Sequence, residues 1–136
     1  MRAVLDTNVL VSAALSRHGA PARILEAWFQ GAFELITSPQ LLDEFEPVLA
    51  YPKIRRRISE SEAASLVRLV SEGSVTIDDP GDGFTVTSRD PGDDFLIELA
   101  FESRSLLVSG DPDLLDLSDR IPVLSPAAFF EKLGST

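Results

Sequence analysis

Asp6 and Asn8 close an apolar run in "AVLDTN", and Ser109 and Asp111 close another in "LLVSGD". Two further acids open helix-like stretches: Glu44 in "PQLLDEF", and Asp93, followed by Asp94, in "RDPGDDF". Carboxylates gathered in one place repel one another, and burial sharpens the repulsion. Hard divalent cations such as Mg²⁺ or Mn²⁺ relieve it, because they prefer carboxylate, water and phosphate oxygens. A cation held this way lowers the pKa of a bound water and polarises a phosphodiester. Metal-assisted phosphodiester hydrolysis is therefore the chemistry these residues suit. Each also has a plainer use: Asp6 as an N-cap, Glu44 on a solvated helix face, Asp93 and Asp94 as first-turn acids, Asp111 in a turn. The hydrolytic reading depends on the set meeting at one edge of the fold.

The elements that would position them follow from periodicity. Arg2–Leu5, Phe33–Thr37, Ser74–Ile77, Ser105–Ser109 and Ile121–Leu124 read as strands, several of them wholly apolar. Helices fall between them. Val9–Leu15 is apolar, and Ala22, Ile24, Leu25, Trp28 and Phe29 recur at helical spacing until Gly31 stops the run. Ser38 and Pro39 open "PQLLDEFEPVLA", where Pro47 predicts a kink or an early stop. Ser59 and Glu62 form a capping box before "ESEAASLVRLVSE". "YPKIRRRIS" is a connection with one short helical turn, and "DDPGDGFTVTSRDPG" is the least regular stretch. "DDFLIELAFES", a short helix in "GDPDLLDL" and a capped "SPAAFFEKL" complete the chain.

Apolar strands alternating with helices predict a three-layer α/β/α sandwich around a parallel sheet of about five strands. In such sheets ligands bind beyond the carboxyl ends of the strands, at the switch point. If the first and fourth strands are neighbours, Asp6 and Asp111 emerge side by side.

A chain of 136 residues predicts one domain spanning 1–136, with 44% hydrophobic and 25% charged residues typical of a globular protein. The absence of cysteine excludes disulfides, zinc–thiolate sites and thiol nucleophiles. Apolar runs far shorter than a membrane span, and no visible signal peptide, predict a cytoplasmic protein. The net charge of −10 argues against non-specific nucleic-acid binding. The one concentrated positive run is "KIRRR": Lys53, Arg55, Arg56 and Arg57. It could hold phosphates without reading bases, or serve as a solvated helix end. Arg17, Arg89 and Arg104 are weaker candidates, and the single histidine, His18, falls in a loop.

Across nearly its whole length the chain resembles the PIN domain family of metal-dependent ribonucleases. The match runs through "VLDTNVLVSA", "SPQLLDEFEPVLAYPK", "RDPGDDFLIELA", "LLVSGDPDLLDL" and "PVLSPAAFFEKL". It is most similar to the branch of toxin components of toxin–antitoxin systems, the VapC-like ribonucleases. The resemblance implies that Asp6, Glu44, Asp93 and Asp111 hold Mg²⁺ or Mn²⁺, with Asn8 and Ser109 orienting water or ligands. It further implies an endoribonuclease cutting RNA by metal-activated water, a cognate antitoxin and a homodimer.

Two other functions fit parts of the same pattern. One is a partner-binding module of this fold with little or no nuclease activity, using residues such as Trp28 and Phe29. The other is an Asp-dependent phosphoryl-transfer enzyme with Asp6 as acceptor. That chemistry wants a second Asp where Asn8 stands and a lysine beyond a later strand, and Lys53 and Lys132 are poorly placed for it.

Overall fold

The computed structural model describes residues 1–81, 87–88 and 91–135. Along them run β1 (Arg2–Leu5), α1 (Thr7–Leu15), α2 (Ala20–Phe29), β2 (Glu34–Thr37), α3 (Pro39–Val48), α4 (Pro52–Arg55), α5 (Glu60–Gly73) and β3 (Val75–Thr76). A 3₁₀ turn at Pro91–Asp93 then leads into α6 (Asp94–Ser103), β4 (Leu106–Val108), α7 (Pro112–Leu115), β5 (Val123–Leu124) and α8 (Pro126–Gly134).

The five strands form one all-parallel sheet in the order β3-β2-β1-β4-β5. The chain moves outward from β1 through β2 to β3, then crosses back to lay β4 on the other side of β1. The switch point therefore lies between β1 and β4, where Leu5 pairs with Val108.

Strand alternation divides the core in two. Ala3, Leu5, Leu35 and Val108 point to one face, where they pack with Val9, Leu10, Ile24, Phe45, Val70 and Phe129 from α1, α2, α3, α5 and α8. Val4, Ile36 and Leu107 point to the other, against Leu96, Leu99 and Ala100 of α6 and Leu114 of α7. Neighbouring residues of one strand thus feed opposite layers, as a sheet covered on both sides requires. Phe129 is fully buried and meets Phe33 edge-on at 5.1 Å, which ties α8 to the residue preceding β2.

Several expected elements are shorter than the apolar pattern suggested. The strand expected over Ser74–Ile77 keeps only Val75–Thr76, because Ser74 still donates its amide to Val70 and belongs to the end of α5. The strand expected over Ile121–Leu124 begins at Val123, since Pro122 has no amide to give to a ladder. Pro47 sits in the last turn of α3, which ends one residue later rather than kinking. The capping box at Ser59 and Glu62 is formed in both directions. The irregular stretch expected before α6 lies in part outside the described residues, and Arg89 with it.

Candidate metal centre

The carboxyl end of β1 delivers Asp6 directly into the N-terminus of α1. Its amide still belongs to the sheet, donating to the Val108 carbonyl at 2.9 Å, while its own carbonyl accepts the amides of Val9 and Leu10. One side-chain oxygen, Oδ1, accepts the Asn8 amide at 3.3 Å, so Asp6 is the N-cap of α1. The other, Oδ2, accepts the Ser109 hydroxyl at 2.8 Å. Capping and site chemistry draw on the same carboxylate.

Ser109 comes from the end of β4 and is fully buried. Its Oγ donates to Asp6 and accepts the Asp111 amide at 3.0 Å, so one hydroxyl fastens the two strand ends together. Asp111 caps α7 by accepting the Asp113 amide through Oδ1.

The electrostatics of Asp6 are unfavourable for an isolated anion. The residue is 7% exposed. Burial raises the pKa of its carboxyl above the ordinary value; hydrogen bonds from Ser109 and the Asn8 amide pull it back, and the charge of Asp111 pushes it up again. Among the described residues the two ion pairs join Arg2 to Glu34 and Arg68 to Glu72, so neither reaches this carboxylate. Neutral donors hold Asp6 in place without cancelling its charge. An oxygen-rich, anionic, cation-free set of this kind fits a hard divalent cation.

The other expected ligands are differently placed. Glu44 lies on the second turn of α3, exposed, and accepts a hydrogen bond from the Gln40 side chain at 3.4 Å. Asp93 is half-buried at the junction of the 3₁₀ turn with α6. Asp94 beside it is buried, and its Oδ1 is engaged by the Ser88 amide at 2.7 Å. Among the described residues no three acidic side chains stand close enough to hold a metal ion. The fold therefore brings Asp6, Ser109 and Asp111 together with Asn8 at the rim, and leaves Glu44 and Asp93 outside that group.

The positive run divides as well. Lys53, Arg56 and Arg57 are exposed and Arg55 is half-buried; Arg55 donates to the Leu49 carbonyl at 3.4 Å and Arg57 to the Leu15 carbonyl at 2.8 Å. His18 lies exposed in the α1–α2 loop, as expected.

Two features had no local signal in the sequence. Asp79 accepts the Gln40 amide at 2.9 Å and so caps α3 from a distance of 39 residues in the chain. Beside the carboxylates opens a cavity of about 420 Å³ lined by Asn8, Val9, Ser12, Pro21, Gly110, Asp111, Pro112 and Pro126. A second cavity, of about 510 Å³, lies between β5 and α8, away from these acids.

Comparison with known proteins agrees with this architecture. The PIN domain family matches residues 2–113. An uncharacterized protein of Methanocaldococcus jannaschii, MJ1680, is 34% identical over 120 residues, which cover 88% of this chain and 76% of that protein. Among solved structures, PAE2754 from Pyrobaculum aerophilum aligns over the full chain and 91% of its own length, with a TM-score of 0.69 at 15% identity. VapBC2 from Rickettsia felis, bound to a DNA fragment from its promoter, aligns over 92% of this chain and 98% of that one, with a TM-score of 0.59 at 16% identity. SSO1118, a PilT N-terminus domain protein from Sulfolobus solfataricus, aligns over 98% of this chain and 93% of that one, with a TM-score of 0.53 at 14% identity.

Proposed function

The chain belongs to the PIN domain family, and on that premise we propose that it is an endoribonuclease dependent on Mg²⁺ or Mn²⁺. The observation that carries the reading is the Asp6–Ser109–Asp111 group at the β1/β4 switch point. There a buried carboxylate is held by neutral donors beside a second carboxylate.

Asp6 and Asp111 would hold the cation, with Glu44 and Asp93 completing the ligand set. When bound, the cation supplies Lewis acidity toward the phosphodiester and an acidified water. The chain's own contribution is placement. Ser109 fixes the Asp6 carboxylate and the Asp111 main chain with one hydroxyl, and the cap of α1 fixes the second Asp6 oxygen. Asn8, exposed at the rim, stands where it can orient water or substrate. Lys53, Arg55, Arg56 and Arg57 would supply the cations for RNA phosphates, Arg55 and Arg57 while each also donates to a main-chain carbonyl.

We further propose that the protein is the toxin of a toxin–antitoxin pair and a homodimer acting in the cytoplasm. Likeness of fold to the toxin–antitoxin structure from Rickettsia felis supports an antitoxin partner. Among the described residues no helix is long and apolar enough to cross a membrane.

The test is cleavage of single-stranded RNA with Mn²⁺, with EDTA, and by the Asp6→Asn protein. The reading predicts cleavage that the chelator abolishes and that the substitution lowers at least ~100-fold, on the order of 3 kcal/mol in the barrier. Cleavage indifferent to both contradicts it.

A further inference from the structure

The 420 Å³ cavity beside Asp111 has walls that the metal chemistry does not explain. Three of them are proline rings from three different helices: Pro21 in the first turn of α2, Pro112 opening α7 and Pro126 opening α8. Each is a reasonable helix-starting residue by itself. Their convergence gives a rigid pocket with flat apolar faces, whose walls lose little freedom when it fills.

The polar groups are few and neutral apart from Asp111. Asn8 and Ser12 stand one turn apart on α1, both exposed, and among the described residues neither side chain has a hydrogen-bond partner. An amide offers both a donor and an acceptor, and a hydroxyl does the same. No lysine or arginine lines the cavity, and a carboxylate stands at its edge, so a phosphate would be repelled from the interior. The walls suit a flat, neutral heterocycle with mixed donors and acceptors along its rim.

We propose that this cavity is a nucleobase subsite, receiving the base of a nucleotide next to the phosphate held at the Asp6–Asp111 centre. The base packs on the proline rings, and its edge meets Asn8 and Ser12. Only an unpaired base can enter such a pocket, so the subsite selects single-stranded RNA. The inference rests on the nuclease reading for its substrate, and on the cavity for its location.

Mononucleotides test it without any cleavage. Amide chemical shifts of the full-length protein in Mg²⁺ would be followed while each of the four ribonucleoside 5′-monophosphates, or ribose 5-phosphate, is added. At least one nucleotide is expected to shift the amides of Asn8, Ser12 and Gly110. It should bind roughly five- to ten-fold tighter than ribose 5-phosphate, the worth of one net hydrogen bond plus modest apolar contact. Ser12→Phe fills the cavity from an exposed helical position and should bring nucleotide and ribose 5-phosphate to parity, while Ser12→Ala keeps most of the preference.

Equal affinity for ribose 5-phosphate and all four nucleotides overturns the subsite, as does an absence of shifts at these amides. N-acetyl-leucine amide shifting them in place of nucleotides would make the cavity a seat for a peptide side chain, and overturns it too. RNA cleavage under the chelator test is read separately, so the subsite and the nuclease activity fail independently.

Discussion

Asp6 serves the fold and the site with one carboxylate, and the two uses pull in opposite directions. As an N-cap it stabilises α1; as a buried anion next to Asp111 it costs stability when ionised. Because burial raises its folded pKa, Asp6 favours folding below the unfolded carboxylate range, and that advantage is lost as pH rises through the folded value. Asp6→Asn should therefore raise the Tm of metal-free protein at neutral pH, by about 1 kcal/mol or roughly 3 °C. The gain should shrink as pH falls through the folded Asp6 range, when the wild-type carboxyl becomes neutral as well. Thermal melts in EDTA from pH 4 to 8, a span of about four units chosen to bracket ordinary carboxylates, would check this. Ser109→Ala has the opposite sign. It deprives Asp6 Oδ2 of its donor and the Asp111 amide of its acceptor at a fully buried position, and should cost about 1–3 kcal/mol by the same melts.

At the scale of elements, what was legible in the sequence was what is local. The capping box, the stop at Gly31 (φ 83°) and the alternation of strands and helices all depend on neighbours within a few residues. The pair of strand ends carrying Asp6 and Asp111 was legible because each acid closes an apolar run, and the sheet order then made them neighbours. Contacts between remote segments were not legible. Nothing local to Arg57 says that it will meet the Leu15 carbonyl 42 residues away, or that Asp79 will cap α3. The run "KIRRR" consequently gave no sign that Arg55 and Arg57 also reach main-chain carbonyls. Arg57→Ala should lower stability by about 1 kcal/mol, since it frees a carbonyl at the end of α1. Lys53→Ala and Arg56→Ala should leave melting within about 0.5 kcal/mol of wild type. Both should weaken RNA binding and reduce its salt dependence by about one unit of slope each. Melts of all three proteins, with RNA titrations at several KCl concentrations, separate the two roles.

The whole molecule carries a net charge of −10, and its candidate centre places one of the contributing carboxylates in a buried position. A polyanionic substrate approaches such a protein only if local positive charge is supplied, and each divalent cation bound at the centre offsets two of the negative charges. The parallel sheet explains why the centre sits where it does: the β1/β4 switch point is where two strand ends can hand their acids to one place. It leaves the approach of the other two acids to the helices. Glu44 and Asp93 ride on α3 and at the start of α6, and their distance from the strand ends depends on helix packing that no spacing encodes. The most direct measurement is calorimetric titration of Mn²⁺ into the metal-free wild-type, Asp6→Asn and Asp111→Asn proteins. Wild type should show saturable binding that weakens as pH falls through the raised Asp6 range, with a loss of at least ~10-fold in affinity in either variant. Equal Mn²⁺ affinity in all three proteins, or no binding by wild type at neutral pH, would contradict it.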